Sequence, residues 1–115
     1  VAEKVRCSEA GQKWFGQVEP ELKARGTLVT FSLPRFAYNA ELDTCLCSFG
    51  LVNVEKGSFH RQCAVWDVLA NRQLAEFAND NGKLVSDLSE DAFNSEATRL
   101  MGVSDACSAT KNWAH

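Results

Sequence analysis

Cys45-x-Cys47 followed by His60-x-x-Cys63 offers four soft or borderline ligands, the number a tetrahedral zinc site takes. Spacing argues against that use. Zinc-binding pairs sit on tight knuckles, whereas Leu46, Phe49, Ala64 and Val65 give both segments the character of extended strand. On such a strand His60 and Cys63 project to opposite faces. A thiol enzyme would take Cys63 as nucleophile, His60 as base and Asp67 as the group that orients it. A thiolate needs an electropositive or helix N-terminal setting, and Arg61 alone supplies a positive charge beside Cys63. Without a Cys-x-x-Cys pair there is no local redox couple. The expectation is no catalytic residue, no metal and no cofactor. The alternative is a thiol- or zinc-dependent enzyme using Cys45, Cys47, His60 and Cys63.

Disulfides are the third use of the five cysteines. Same-face neighbours on a strand lie roughly 6.5 to 7 Å apart with parallel Cβ directions, so Cys45 and Cys47 each need a separate partner. With a turn centred near Glu55, Cys47 comes opposite Cys63 across a hairpin, and Cys45 faces the helix that carries Cys7. The expected pairs are Cys7 with Cys45 and Cys47 with Cys63, with Cys107 free or exchanging into the first pair. Each bridge contributes about 2 to 4 kcal/mol, largely by restricting the unfolded chain. Such pairing implies an exported location, periplasmic or secreted. Five buried reduced thiols are the plain alternative.

The elements that position these residues follow from periodicity. Cys7, Ala10, Trp14 and Val18, with Phe15 beside them, fall on one face of a first helix whose end is bracketed by Pro20 and Gly26. Short β-prone runs at Leu28 to Leu33 and Phe36 to Tyr38 are broken by Pro34, which marks an edge or bent strand. Cys45 to Val54, Phe59 to Leu69, Leu74 to Ala78 and Lys83 to Ser86 continue an antiparallel meander, with turns at Glu55 to Ser58, near Asn71 and at Asp80-Asn81-Gly82. Cys45, Cys47, Phe49 and Leu51 form one apolar strand face, expected to meet the helices. Ser89 caps a last helix with Glu90 and Asp91 in its first turn; Leu88 staples onto Phe93, and Gly102 ends it. Phe93, Ala97, Leu100 and Met101 make its buried stripe. The whole is one disulfide-stapled α+β domain over 1-115, an antiparallel β-meander of about five strands flanked by an N-terminal and a C-terminal helix.

Composition excludes several classes. With 45% apolar and 23% charged residues the chain is neither disordered nor of low complexity. No run approaches the ~20 apolar residues that span a bilayer. The densest basic stretch, Lys4 to Lys13, is interleaved with Glu3 and Glu9, which argues against nucleic acid. The net charge of −3 comes almost wholly from the residues after Arg72, where Asp87, Glu90, Asp91 and Glu96 read as a solvated helix start. The chain opens at Val1, which suits a trimmed piece or a mature form that has lost its leader. The closing Trp113-Ala114-His115 carries no functional expectation.

Trp14, Phe15, Tyr38, Phe49, Phe59, Trp66, Phe77 and Phe93 could line a ligand groove between helix and sheet, but most fall on inward periodicities and core packing is the favoured use. Trp66 shares a strand face with His60, Gln62 and Ala64 and is expected on an exposed sheet surface, making Trp66 and His60 the candidate partner contact. Tyr38-Asn39-Ala40-Glu41-Leu42-Asp43-Thr44-Cys45-Leu46, followed by Trp66-Asp67-Val68-Leu69-Ala70-Asn71-Arg72, resembles a group of small exported bacterial proteins of unknown function. The resemblance covers about a third of the chain, and Cys7 matches an upstream helical cysteine common in that group. It implies an exported, bacterial, non-enzymatic domain and brings no catalytic residue with it. Cys45-x-Cys47 and Cys107 depart from the pattern. The expected function is a small exported binding domain, an inhibitor or accessory protein of another exported protein.

Overall fold

The computed structural model describes residues 2–26 and 28–102. The order is α1 (Ala2–Lys23), β1 (Leu28–Phe31), β2 (Arg35–Asn39), β3 (Thr44–Glu55), β4 (Ser58–Asp67), β5 (Arg72–Asp80), β6 (Lys83–Leu84) and α2 (Glu90–Met101). This is the α+β class read from the sequence. Six antiparallel strands form one sheet in the order β1-β3-β4-β5-β6, with β2 also paired to β3. β1 and β2 are two halves of one bent edge. Pro34 lies in the break between them, where a missing N–H costs no ladder bond.

The turns obey local backbone chemistry. Glu55 pairs with Ser58 across a two-residue loop in which Gly57 takes φ 69°. Asn81 and Gly82 both have positive φ between the paired Asp80 and Lys83, the arrangement a tight hairpin of primed type requires. α2 keeps its expected grammar: Ser89 accepts from the Ala92 N–H, Gly102 closes the helix at φ 76°, and Phe93, Ala97, Leu100 and Met101 are buried. α1 runs one turn past Pro20, to Lys23, so Pro20 does not end it. The proline ring is on the exposed side of the helix, and only the bond toward Gly16 is lost.

One correction concerns the layers. The face of Cys45, Cys47, Phe49 and Leu51 meets α1 alone, together with Trp14, Phe15 and Val68. α2 packs on the opposite face, against Leu46, Cys63, Val65, Ala75 and Phe77. β3 is therefore buried on both sides over its first nine residues, Thr44 to Val52. Arg61 reinforces the second layer from a buried position: Nη2 donates to Glu90 Oε2 at 2.8 Å in the first turn of α2, and the guanidinium lies 5.2 Å from the Phe77 ring centre. Glu90 thus serves the helix junction.

α1 approaches the sheet closely because of one glycine. A methyl at the buried Gly11 would sit 2.1 Å from Phe36 Cδ1. Helix propensity alone favours alanine there by about 1 kcal/mol, but the overlap with an aromatic ring opposes it. Gly11→Ala is expected to lower stability by about 1 to 3 kcal/mol, and urea unfolding of the two proteins decides the sign.

Candidate functional site

The structure first separates the residues that chemistry would need together. Cys7 and Cys45 are bonded, with Cα atoms 5.1 Å apart, as expected from the helix and strand faces. Cys63 is also disulfide-bonded, while Cys47 is a free, buried thiol. The expected Cys47–Cys63 bridge is therefore corrected. Because Glu55 pairs with Ser58, Cys47 comes opposite Trp66 and Cys63 opposite Gly50. That register puts Cys47 on the α1 face and Cys63 on the α2 face. Cys107 and Trp113-Ala114-His115 lie outside the described residues.

The thiol- or zinc-dependent alternative loses its geometry in the same way. His60 stands on the face opposite Cys63, and among the described residues no group of three or more His, Cys, Asp or Glu side chains is placed to hold a metal. Asp67 does not orient His60. Its Oδ1 accepts from Thr44 Oγ1 at 2.7 Å and from the N–H groups of Leu69 and Ala70 at 3.1 and 3.0 Å, closing the turn before β5. The Cys47 pKa is pushed up to about 12 by desolvation, which leaves a protonated and shielded sulfur.

The residues of the Tyr38 to Cys45 and Trp66 to Arg72 segments build a corner of the sheet. Tyr38 donates to Asp43 Oδ1 at 2.6 Å, and Asn39 accepts from the Leu42 N–H while giving its own Nδ2 to the Leu100 carbonyl of α2. Val68 N–H bonds the Cys45 carbonyl at 3.0 Å. Asn71, at φ 51°, accepts from Trp14 Nε1 at 2.9 Å. Both helices are thus tied to one end of the sheet.

Trp66 is not a bare surface residue. Its ring is half-buried, 5.4 Å from that of Trp14 and inclined at 42°. α1 lies over β1, β2 and β3, so the β4–β5 part of the same face is left beside the helix. A groove of about 390 Å³ runs there, walled by Trp14, Val18 and Leu22 and floored by Phe49, Leu51 and Trp66. Gln62, Asn71, Gln73 and Glu76 line its sheet side, with Glu21 and Arg25 on the helix side. Leu22, Arg25, Leu51 and Gln62 are shared with a second recess of about 190 Å³, which His60 and Asn53 also line. A hydrogen-bonded row crosses the ledge: Asp80 to His60, His60 to Gln62 at 3.4 Å, and Gln62 Nε2 to Glu76 Oε2 at 2.6 Å. Of these residues, the sequence marks Trp66 and His60 as a contact, Gln62 as their face-mate, and Trp14 and Phe49 among the aromatics that a helix–sheet groove could use. The others come from three elements with no shared motif, so only the folded sheet assembles them.

The fold and this surface define an α+β domain with an open polar and aromatic groove. No protein-family model, curated protein or solved structure matches the chain. No helix among the described residues is long and apolar enough to cross a membrane.

Two outcomes follow for the sulfur atoms. Mapping without reductant is expected to yield a linked Cys7–Cys45 peptide and an unmodified Cys47 that thiol reagents label only after unfolding; Cys7→Ala is expected to cost about 4 kcal/mol for a bridge joining residues 38 apart. Cys47 ionises near 9 when unfolded and near 12 when folded. Its contribution is therefore whole below about pH 9 and falls as pH rises toward 12. Chemical denaturation between about pH 8 and 11 should show a shallower loss of stability for Cys47→Ala than for the parent chain.

Proposed function

We propose that this chain is a small exported binding domain that holds its ligand in the groove beside α1 and performs no bond-making chemistry. The groove carries this reading. A half-buried indole sits on its floor, and Asn71, Gln73 and Glu76 keep polar atoms without partners among the described residues along its side. Three of the cysteines support it by what they are occupied with: Cys7, Cys45 and Cys63 are in disulfides and offer no thiol. The Cys7–Cys45 bond favours an oxidising compartment, the periplasm or the cell exterior. The resemblance of the corner segments to small exported bacterial proteins points to the same place. A domain that binds without converting suits an accessory or inhibitory role beside another exported protein.

Photo-crosslinking in the exporting cell tests the reading. A diazirine side chain at Gln73, inside the groove, should capture an exported molecule, while the same group at the exposed Ser95 of α2 should not. Capture that is absent at Gln73, or equal at the two positions, overturns it.

A further inference from the structure

We infer that the groove takes the sugar rings of an uncharged oligosaccharide, stacked on Trp66 and held along one edge by Asn71, Gln73 and Glu76. The inference rests on the binding reading above and names the ligand class. Its first support is the aromatic platform. Trp66 is backed by Trp14, which is only 8% exposed and is fixed by its own N–H bond to Asn71. The groove is therefore lined by two packed indoles inclined at 42° with hydrogen-bonding groups along one side, and it suits a ligand with one apolar face and a polar edge. A pyranose ring has that form, with axial C–H groups on its face and hydroxyls around its rim.

The inventory of free polar atoms then selects among polar ligands. Trp14 occupies Asn71 Oδ1 and leaves the Nδ2 donors; Gln62 occupies Glu76 Oε2 and leaves Oε1 as acceptor; Gln73 is exposed and has both. None of these remaining atoms has a partner among the described residues. Donors and acceptors alternate along one row. A hydroxyl both donates and accepts, whereas an ammonium group only donates and a carboxylate only accepts. The ionised side chains at the rim, Glu21 and Glu76 against Arg25, leave the groove within one charge of neutral. A strongly charged ligand gains little there.

Length favours more than one ring. The groove continues past Leu51 and Gln62 into the second recess, which Asn53 and His60 also line.

Titration of the full chain with fully N-acetylated chitotetraose and with cellotetraose tests the assignment, read by tryptophan fluorescence and by the indole and amide resonances. Binding of either probe is expected with a Kd below about 1 mM, moving the Trp66 indole and Gln73 signals. Trp66→Ala should weaken it about tenfold or more, and the exposed Gln73→Ala, which leaves the core untouched, about threefold. Failure of both probes overturns the assignment, as does binding that neither variant weakens, or saturable binding of tetralysine in their place. Should Gln73 capture a molecule in the exporting cell while neither sugar binds, the groove stands as a binding site and the oligosaccharide assignment alone falls.

Discussion

The covalent link between Cys7 and Cys45 decides where α1 lies, and the position of α1 decides what the exposed half of the sheet becomes. Cys45 sits at the start of β3, beside the turn closed by Asp67 and opposite Tyr38 of β2. Anchored there, α1 crosses β1, β2 and β3 and stops short of β4 and β5. Had the helix been free to shift toward the sheet centre, it would cover Trp66 and Gln62. Phe15 holds the alignment further along by edge-on contacts with Phe31 and Phe49, at 5.6 and 5.3 Å between ring centres. The groove is what remains when a helix fixed at one end lies to one side of a sheet wider than itself.

The corner shows how polar residues with the look of reactive groups serve architecture. Asp67, Asn39, Asn71 and Thr44 are types that active sites use, and here each is engaged by backbone or by another element. Thr44 and Asp67 are buried, so their mutual bond satisfies two groups that would otherwise be expensive to desolvate. A short motif in which Tyr, Asn, Thr and Asp recur at fixed offsets is, in this chain, a recipe for joining two turns and two helices.

Much of this was legible in the sequence, because the signals were local. The capping residues of α2 and its buried stripe depend on spacing within one helix, and the Cys7–Cys45 bond depends on two faces each read from periodicity. The register of β3 against β4 was not legible to the same degree. A turn centred on Glu55 gives Cys47 to Cys63, whereas the two-residue loop at Lys56-Gly57 shifts the pairing and turns Cys63 to the other face. Gly57 held the clue, since its positive φ belongs inside the loop. The second buried face of β3 was hidden because Ser48 and Gly50 are small and do not announce a core. The partial cover of Trp66 was hidden for a different reason. Its cover comes from Trp14, 52 positions earlier, and no pattern within β4 encodes it.

The two margins of the sheet also bear on how molecules of this protein meet one another. One margin is β1 and β2, interrupted at Pro34; on the other, β6 pairs only with Asn79 and Asp80 of β5 and leaves Arg72 to Phe77 without a partner strand on that side among the described residues. On the β1–β2 side an incoming strand finds just a short ladder of unsatisfied amides before the backbone bends away at Pro34. Open-ended stacking needs two usable borders, and the break at Pro34 blunts one of them, so growth by strand addition is confined to the β5 side.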